Sequence, residues 1–201
     1  MDIDLTGRRA FVSGSTQGIG RVIAARLAAA GAATTINGRD LDRVDAVVAQ
    51  LRDELPGARI DGVAADLATV YGARELFDVL PDVDVLVNNL GIFAPQPVLE
   101  IDDDTWQRFW EVNVMSAIRL SRHYVPGMRD RGWGRVQFMA SDSAVVIPAE
   151  MVQHRPNSLI QRLIEPEEIA NMVVYLSSEQ ASATTGGALR VDGGYVDYVV
   201  P

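Results

Sequence analysis

The residues Arg9-Ala10-Phe11-Val12-Ser13-Gly14-Ser15-Thr16-Gln17-Gly18-Ile19-Gly20 pass from a short apolar run into a turn rich in glycine. Arg9 to Val12 reads as a buried strand. Beyond the turn, Ile19, Val22, Ile23 and Leu27 recur at the three-and-four spacing of an amphipathic helix. The glycines therefore fall where a strand hands over to a helix. There Gly14 can take a backbone angle closed to other residues, Gly18 lets the main chain approach a phosphate, and Gly20 lets the helix lie close to the sheet. The free N–H groups at the helix start then form a pocket for a pyrophosphate. The same turn also occurs in α/β proteins that bind no nucleotide, so the surrounding sequence has to decide.

Working outward, Ala33 to Asn37 reads as a second strand, and Asp40 can cap a helix through Val44, Val47, Val48 and Leu51. A third strand spans Arg59 to Ala64, followed by Asp66 and a helix around Ala73, Leu76, Phe77 and Leu80. Val83 to Val87 is a compact buried strand that ends at Asn88-Asn89-Leu90-Gly91. This alternation predicts an α/β fold, a doubly wound parallel sheet with helices on both faces and ligands at the carboxyl ends of the strands. Gly14, Asn37, Asp66 and Asn89 all fall at such ends.

After a loop from Ile92, Asp104 can cap a long helix whose expected core stripe is Trp106, Trp110, Asn113, Ala117, Leu120 and Tyr124. Asn113 is the polar residue in that stripe and needs a partner or a task. Arg135 to Ala140 makes a fifth strand leading into Ser141. The rhythm then fails until Pro166-Glu167-Glu168 opens a helix burying Ile169, Met172, Val173 and Leu176, after which Gly187 to Gly194 reads as a strand and turn.

A chain of 201 residues is expected to be a single domain, residues 1–201. It has no cysteine, its apolar runs are too short to span a bilayer, and its first ten residues are charged, so a cytoplasmic protein without a membrane anchor is expected. The net charge of −9 argues against nucleic acid as a partner. No metal site is expected. All 18 basic residues are arginine; the chain contains no lysine.

The spacing Gly14-x-x-x-Gly18-x-Gly20 resembles the short-chain dehydrogenase/reductase family, with Ser13 in place of the family's threonine. Asn88-Asn89-Leu90-Gly91 is similar to its Asn-Asn-Ala-Gly, and Pro166 to Ala170 and Val191-Asp192-Gly193-Gly194 resemble its C-terminal signatures. The resemblance implies an oxidoreductase that moves a hydride between a nicotinamide cofactor and an alcohol or carbonyl. It makes Ser141 the residue that holds the substrate oxygen and Asn113 the one that holds a water in the proton relay. Gly14, Ser15, Thr16, Gln17, Gly18, Ile19, Gly20, Asp66, Leu67, Asn89 and Gly91 become cofactor contacts. The second strand ends in Asn37-Gly38-Arg39 with no acid to take the ribose hydroxyls of NAD, so Arg39 points to the 2′-phosphate of NADP. The family's Tyr-x-x-x-Lys is missing: counting on from Ser141 gives His154 in the tyrosine position and Ser158 in the lysine position.

Members of this family commonly pair through the helix that here starts at Thr105. Because that helix has apolar residues on more than one face, a homodimer or homotetramer is expected. The lost rhythm after Ser141 leaves no helix or strand to carry the sheet from the fifth strand to Ala188–Val191, so an internal segment is expected to be missing near residues 147–152. The alternative is a catalytically silent protein of the same fold that binds a nucleotide or acts as a scaffold.

Overall fold

The computed structural model describes residues 3–141, 158–160 and 162–194. Strands β1 (Arg9–Val12), β2 (Ala33–Gly38), β3 (Ile60–Ala64), β4 (Val85–Asn88) and β5 (Arg135–Phe138) form a sheet in the order β3-β2-β1-β4-β5. Every pairing is parallel, with Phe11 opposite Thr35 on one side and Leu86 on the other. Helices α1 (Gly18–Ala29), α2 (Leu41–Glu54), α3 (Val70–Val79), α4 (Asp103–Trp110), α5 (Ser116–Asp130) and α6 (Pro166–Ser177) connect and cover it.

Side chains alternate across each strand, so β1 feeds two cores. Ala10 and Val12 pack with Ile23, Leu27, Val44, Leu51, Val173 and Val174 beneath α1, α2 and α6. Phe11 faces the other way, onto Leu67, Leu76, Leu86, Leu120 and Tyr124 beneath α3 and α5. At the amino ends of the strands, Asp84 ties β1 to β4. Its carboxylate accepts from the Arg9 N–H at 2.9 Å and from the Arg9 guanidinium, and it lies 3.4 Å from Arg131. Burial alone would raise its pKa, but the hydrogen bonds and charges of these two arginines outweigh it and hold the carboxyl below its ordinary value.

Three expectations change. The cap of the long helix is Asp102, whose carboxylate accepts from the Thr105 N–H at 2.8 Å; Asp104 lies inside α4. That helix is three pieces, with a π turn over Glu111–Met115 between α4 and α5. Its stripe is buried only at the far end: Leu120 and Tyr124 are 0% and 2% exposed, whereas Trp106 and Trp110 are 56% and 53% exposed and Asn113 is also exposed. The part that packs on β4 and β5 is α5. Finally, Gly187–Val191 forms no strand, and Gly186 to Arg190 are exposed. A strand needs a neighbour, and β5 is the last one among the described residues. The rest of the irregular stretch, residues 142–157 and 161, lies outside the described residues.

Candidate active site

The glycine turn sits at the carboxyl end of β1, and its three glycines are required for different reasons. Gly14 has φ +61°, and a Cβ there would come 3.0 Å from the Leu90 Cα. Gly20 is where Asn89 reaches in: a Cβ would meet the Asn89 amide nitrogen at 2.4 Å and the Gly14 carbonyl at 2.7 Å. Gly18 has φ +56° and nothing within 4 Å of where a Cβ would stand, so its surface is open. Helices α2, α3 and α4 each have a side-chain cap, from Asp40, Thr69 and Asp102. Helix α1 has none: its cap position is Gln17, whose side-chain oxygen accepts from Arg43 instead, and its first turn carries no acid. The N–H groups of that turn are therefore left for a ligand, and their partial positive charge suits an anion.

Neighbouring strand ends brace the turn. Asn89 Nδ2 donates to the carbonyls of Ser13 and Gly14, both at 3.0 Å. The Ser13 hydroxyl accepts from the N–H groups of Asn89 and Leu90, also at 3.0 Å, so serine fills the family's threonine position with a working hydroxyl. Ser15 is fully buried; its hydroxyl donates to the Val12 carbonyl at 2.6 Å and accepts from the Asn37 N–H at 2.9 Å. Its side chain is thus an internal brace. Asn37 continues the brace by donating to the carbonyls of Val63 and Ala65 at 3.1 Å.

At the end of β2, Thr16 packs over Gly38, where a Cβ would come within 2.6 Å of the Thr16 methyl. Arg39 is exposed and makes no hydrogen bond or ion pair among the described residues. The sequence reading missed Arg43, whose guanidinium donates to the Gln17 side-chain oxygen and so lies against the glycine turn. Its position four residues after Arg39, in the first turn of α2, was the available signal. Across the sheet edge, Asp66 is half-buried and accepts from the Ala68 N–H at 3.1 Å. The Leu67 side chain is 1% exposed in the core, which leaves only its main chain for a ligand. Ile19 is partly exposed on the first turn of α1.

The catalytic candidates lie at the carboxyl ends of β4 and β5. Asn113, on the π turn, accepts from the Ile92 N–H at 2.7 Å and donates to the Ile92 carbonyl at 3.1 Å. A Cβ on Gly91 would stand 3.5 Å from the Asn113 oxygen, so the loop after β4 lies directly against it. Ser141 is exposed three residues past β5, and the chain leading to it stays beside β4 through the Met139 N–H, which donates to the Asn88 carbonyl at 2.9 Å. No described tyrosine joins them. Tyr124 is buried, donates to the Leu80 carbonyl at 2.9 Å before β4 begins, and has its pKa pushed up by burial and by Asp82. Tyr71 and Tyr175 sit on α3 and α6. Ser158 is buried, and its hydroxyl donates to the Gly193 carbonyl at 3.4 Å. His154 lies outside the described residues. Among the described residues no cluster of His, Asp and Glu could hold a metal, and no helix is long and apolar enough to cross a membrane.

A five-stranded parallel sheet with an uncapped glycine turn at its centre defines an α/β protein of the nucleotide-binding type. The family model described as short chain dehydrogenase matches residues 8–153, and that described as enoyl-(acyl carrier protein) reductase matches residues 148–196. The chain belongs to the short-chain dehydrogenase/reductase family. It is 37% identical to the uncharacterized oxidoreductase YvaG of Bacillus subtilis over 98% of each chain, and 26% identical to the 3-oxoacyl-[acyl-carrier-protein] reductase FabG of Aquifex aeolicus over 96% of this chain and 99% of the relative. The L-sorbose reductase of Gluconobacter frateurii, solved with NADPH and L-sorbose, superposes with a TM-score of 0.86 at 29% identity, over 99% of this chain and 100% of that one. The alignment to YvaG runs over 260 positions and that to the Aquifex reductase over 247, against a chain of 201 residues. At least 59 and 46 of those positions therefore fall opposite no residue here.

Proposed function

We propose that this site holds NADP(H) and serves hydride transfer between the nicotinamide and an alcohol or carbonyl carbon. The observation that carries the reading is the uncapped first turn of α1, open at Gly18, beside a strand end that offers Arg39 instead of an acid. The main-chain N–H groups of Gly18, Ile19 and Gly20 would hold the pyrophosphate. Thr16 and Arg39, with Arg43 steadied by Gln17, would surround the adenosine 2′-phosphate, and Asp66 with the Leu67 main chain would flank the adenine. Asn89 and Gly91 would line the nicotinamide side. Bound there, the cofactor supplies or takes the hydride.

The chain's own residues handle the oxygen and the proton. Ser141 would donate a hydrogen bond to the carbonyl oxygen. Asn113, whose amide is fixed by Ile92, would place a water beside it for proton exchange. We also propose a homodimer or homotetramer of cytoplasmic location, paired through the outer face of α5, where Ile118 and Val125 are 43% and 42% exposed. A monomer in sedimentation at micromolar concentration would contradict that assembly.

The direct test is an equilibrium titration with NADPH and with NADH. NADPH should bind more tightly, and Arg39→Ala should remove most of the difference, about 1.5–3 kcal/mol, or roughly tenfold to a hundredfold in Kd. Equal affinity for the two in the intact protein would overturn the NADP reading. One observation favours a silent protein: the chain has no lysine, and the described residues place no tyrosine beside Ser141.

A further inference from the structure

Helices α3 and α5 leave a cleft of about 320 Å³ between them. Val70, Ala73, Arg74 and Phe77 line it from α3, and Arg119, Arg122 and His123 line it from α5. Spacings of three and four residues put each set on one face of its helix. Part of the wall is apolar. Val70, Ala73 and Phe77 supply it, and the Phe77 ring is stacked on that of His123, with centroids 3.7 Å apart and planes 8° from parallel. Pro81 also holds the histidine, since its carbonyl accepts from the ring Nε2 at 3.1 Å.

The charge of the cleft runs against that of the chain. No carboxylate lines it, although the formal net charge of the protein is −9. Arg119 already has its partners: its side chain is 9% exposed, donates to the Ala68 carbonyl at 3.0 Å and pairs with Glu111. Arg74 and Arg122 do not. Both are exposed, and neither makes a hydrogen bond or ion pair among the described residues. Asp78 stands four residues after Arg74, where a pair along α3 could form, and none does. Facing helices thus bring two unpaired guanidinium groups to one cleft, and their mutual repulsion is relieved by an anion between them.

We propose that the cleft between α3 and α5 binds a small molecule carrying a phosphate group, gripped by Arg74 and Arg122, with its apolar body against Val70, Ala73 and Phe77. The planar fork of a guanidinium matches phosphate oxygens, and such charge-assisted bonds are among the stronger polar contacts. The volume is at the small end of the range for ligand sites, about 300–1,000 Å³, which suits a phosphate with a single ring attached. None of the lining residues is among those proposed above for NADP(H), so this site stands apart from that function. Arg119 nevertheless connects the two: Ala68 follows Asp66 and Leu67, and Glu111 opens the π turn that carries Asn113.

His123 reports on the cleft, because the chain has only one other histidine, His154. The test follows the imidazole NMR signals of the 201-residue protein at fixed pH as inorganic phosphate or phenyl phosphate is added, with His123→Asn assigning the signal. Both probes should shift the His123 signal saturably, phenyl phosphate with a Kd at least about fivefold lower because its ring meets the apolar wall. Sodium chloride at equal ionic strength should not. Arg74→Gln and Arg122→Gln should each raise both Kd values roughly tenfold or more and leave thermal unfolding unchanged, since both side chains are exposed and unpaired. Saturating 2′,5′-ADP should leave the shift in place. The inference is overturned if no saturable shift appears, as when the acids of a second copy fill the cleft beside Ile118 and Val125. A shift that sodium chloride reproduces, that survives both arginine variants, or that is no tighter with phenyl phosphate overturns it too. So does one that 2′,5′-ADP abolishes, which would make the cleft part of the cofactor site. Failure of 2′,5′-ADP to bind at all would count against the proposed function alone and leave the His123 result standing.

Discussion

Gly18 and Gly20 look alike in sequence and separate in the structure. An alanine at Gly20 would drive a methyl into Asn89 and the Gly14 carbonyl, so Gly20→Ala should lower unfolding stability by about 1–3 kcal/mol, as overpacking does. An alanine at Gly18 meets no atom and bears only the strain of its positive φ, roughly 1 kcal/mol, while its methyl stands where the pyrophosphate would approach. Gly18→Ala should therefore keep most of the stability and lose most of the NADPH affinity. Chemical denaturation and a binding titration on the two variants check this, and the opposite pattern would mean that the turn braces the fold without serving a ligand. At this scale the sequence was only partly legible. The spacing marked both glycines, but it could not show that Ser15 and Asn37 spend their side chains on bracing, or that Arg43 reaches Gln17, because those contacts join separate strands and helices.

Among the elements, β1 to β5 and α1 to α3 were legible because their periodicity and caps are local, and Asp40 caps α2 as expected. Two of the misread parts depend on a neighbour. The stripe of Trp106 and Trp110 has helical spacing whether or not anything covers it, and Gly187–Val191 has strand character but pairs with no strand among the described residues. The join of β1 and β4 at Asp84 gives a prediction of its own. A carboxyl whose folded pKa lies below its unfolded value adds stability that is complete above the unfolded value, near 4, and is lost as pH falls through the lower folded one. Asp84→Asn should cost about 1.5–3 kcal/mol near neutral pH and flatten the acid limb of the stability profile below pH 4. Denaturation curves at pH 7 and pH 3 would show the variant converging on the parent, and parallel profiles would contradict the role of the ion pair.

For the whole molecule, the cofactor half and the substrate half stand on different footing. The cofactor half, from β3 across to β4, is complete in the described residues: two cores, a braced glycine turn and an open helix start. The half that would hold the substrate has Ser141 past the end of β5 and Asn113 against the loop after β4, and β5 is the last strand among the described residues. The protein should accordingly bind cofactor fragments through the cofactor half alone. The most direct measurement of the NADP site is the affinity of the 201-residue protein for 2′,5′-ADP against 5′-ADP, which differ only in the 2′-phosphate. The 2′-phosphate should tighten binding roughly tenfold to a hundredfold, and Arg39→Ala should abolish the gain. Equal binding of the two fragments, or a gain that survives Arg39→Ala, would contradict it.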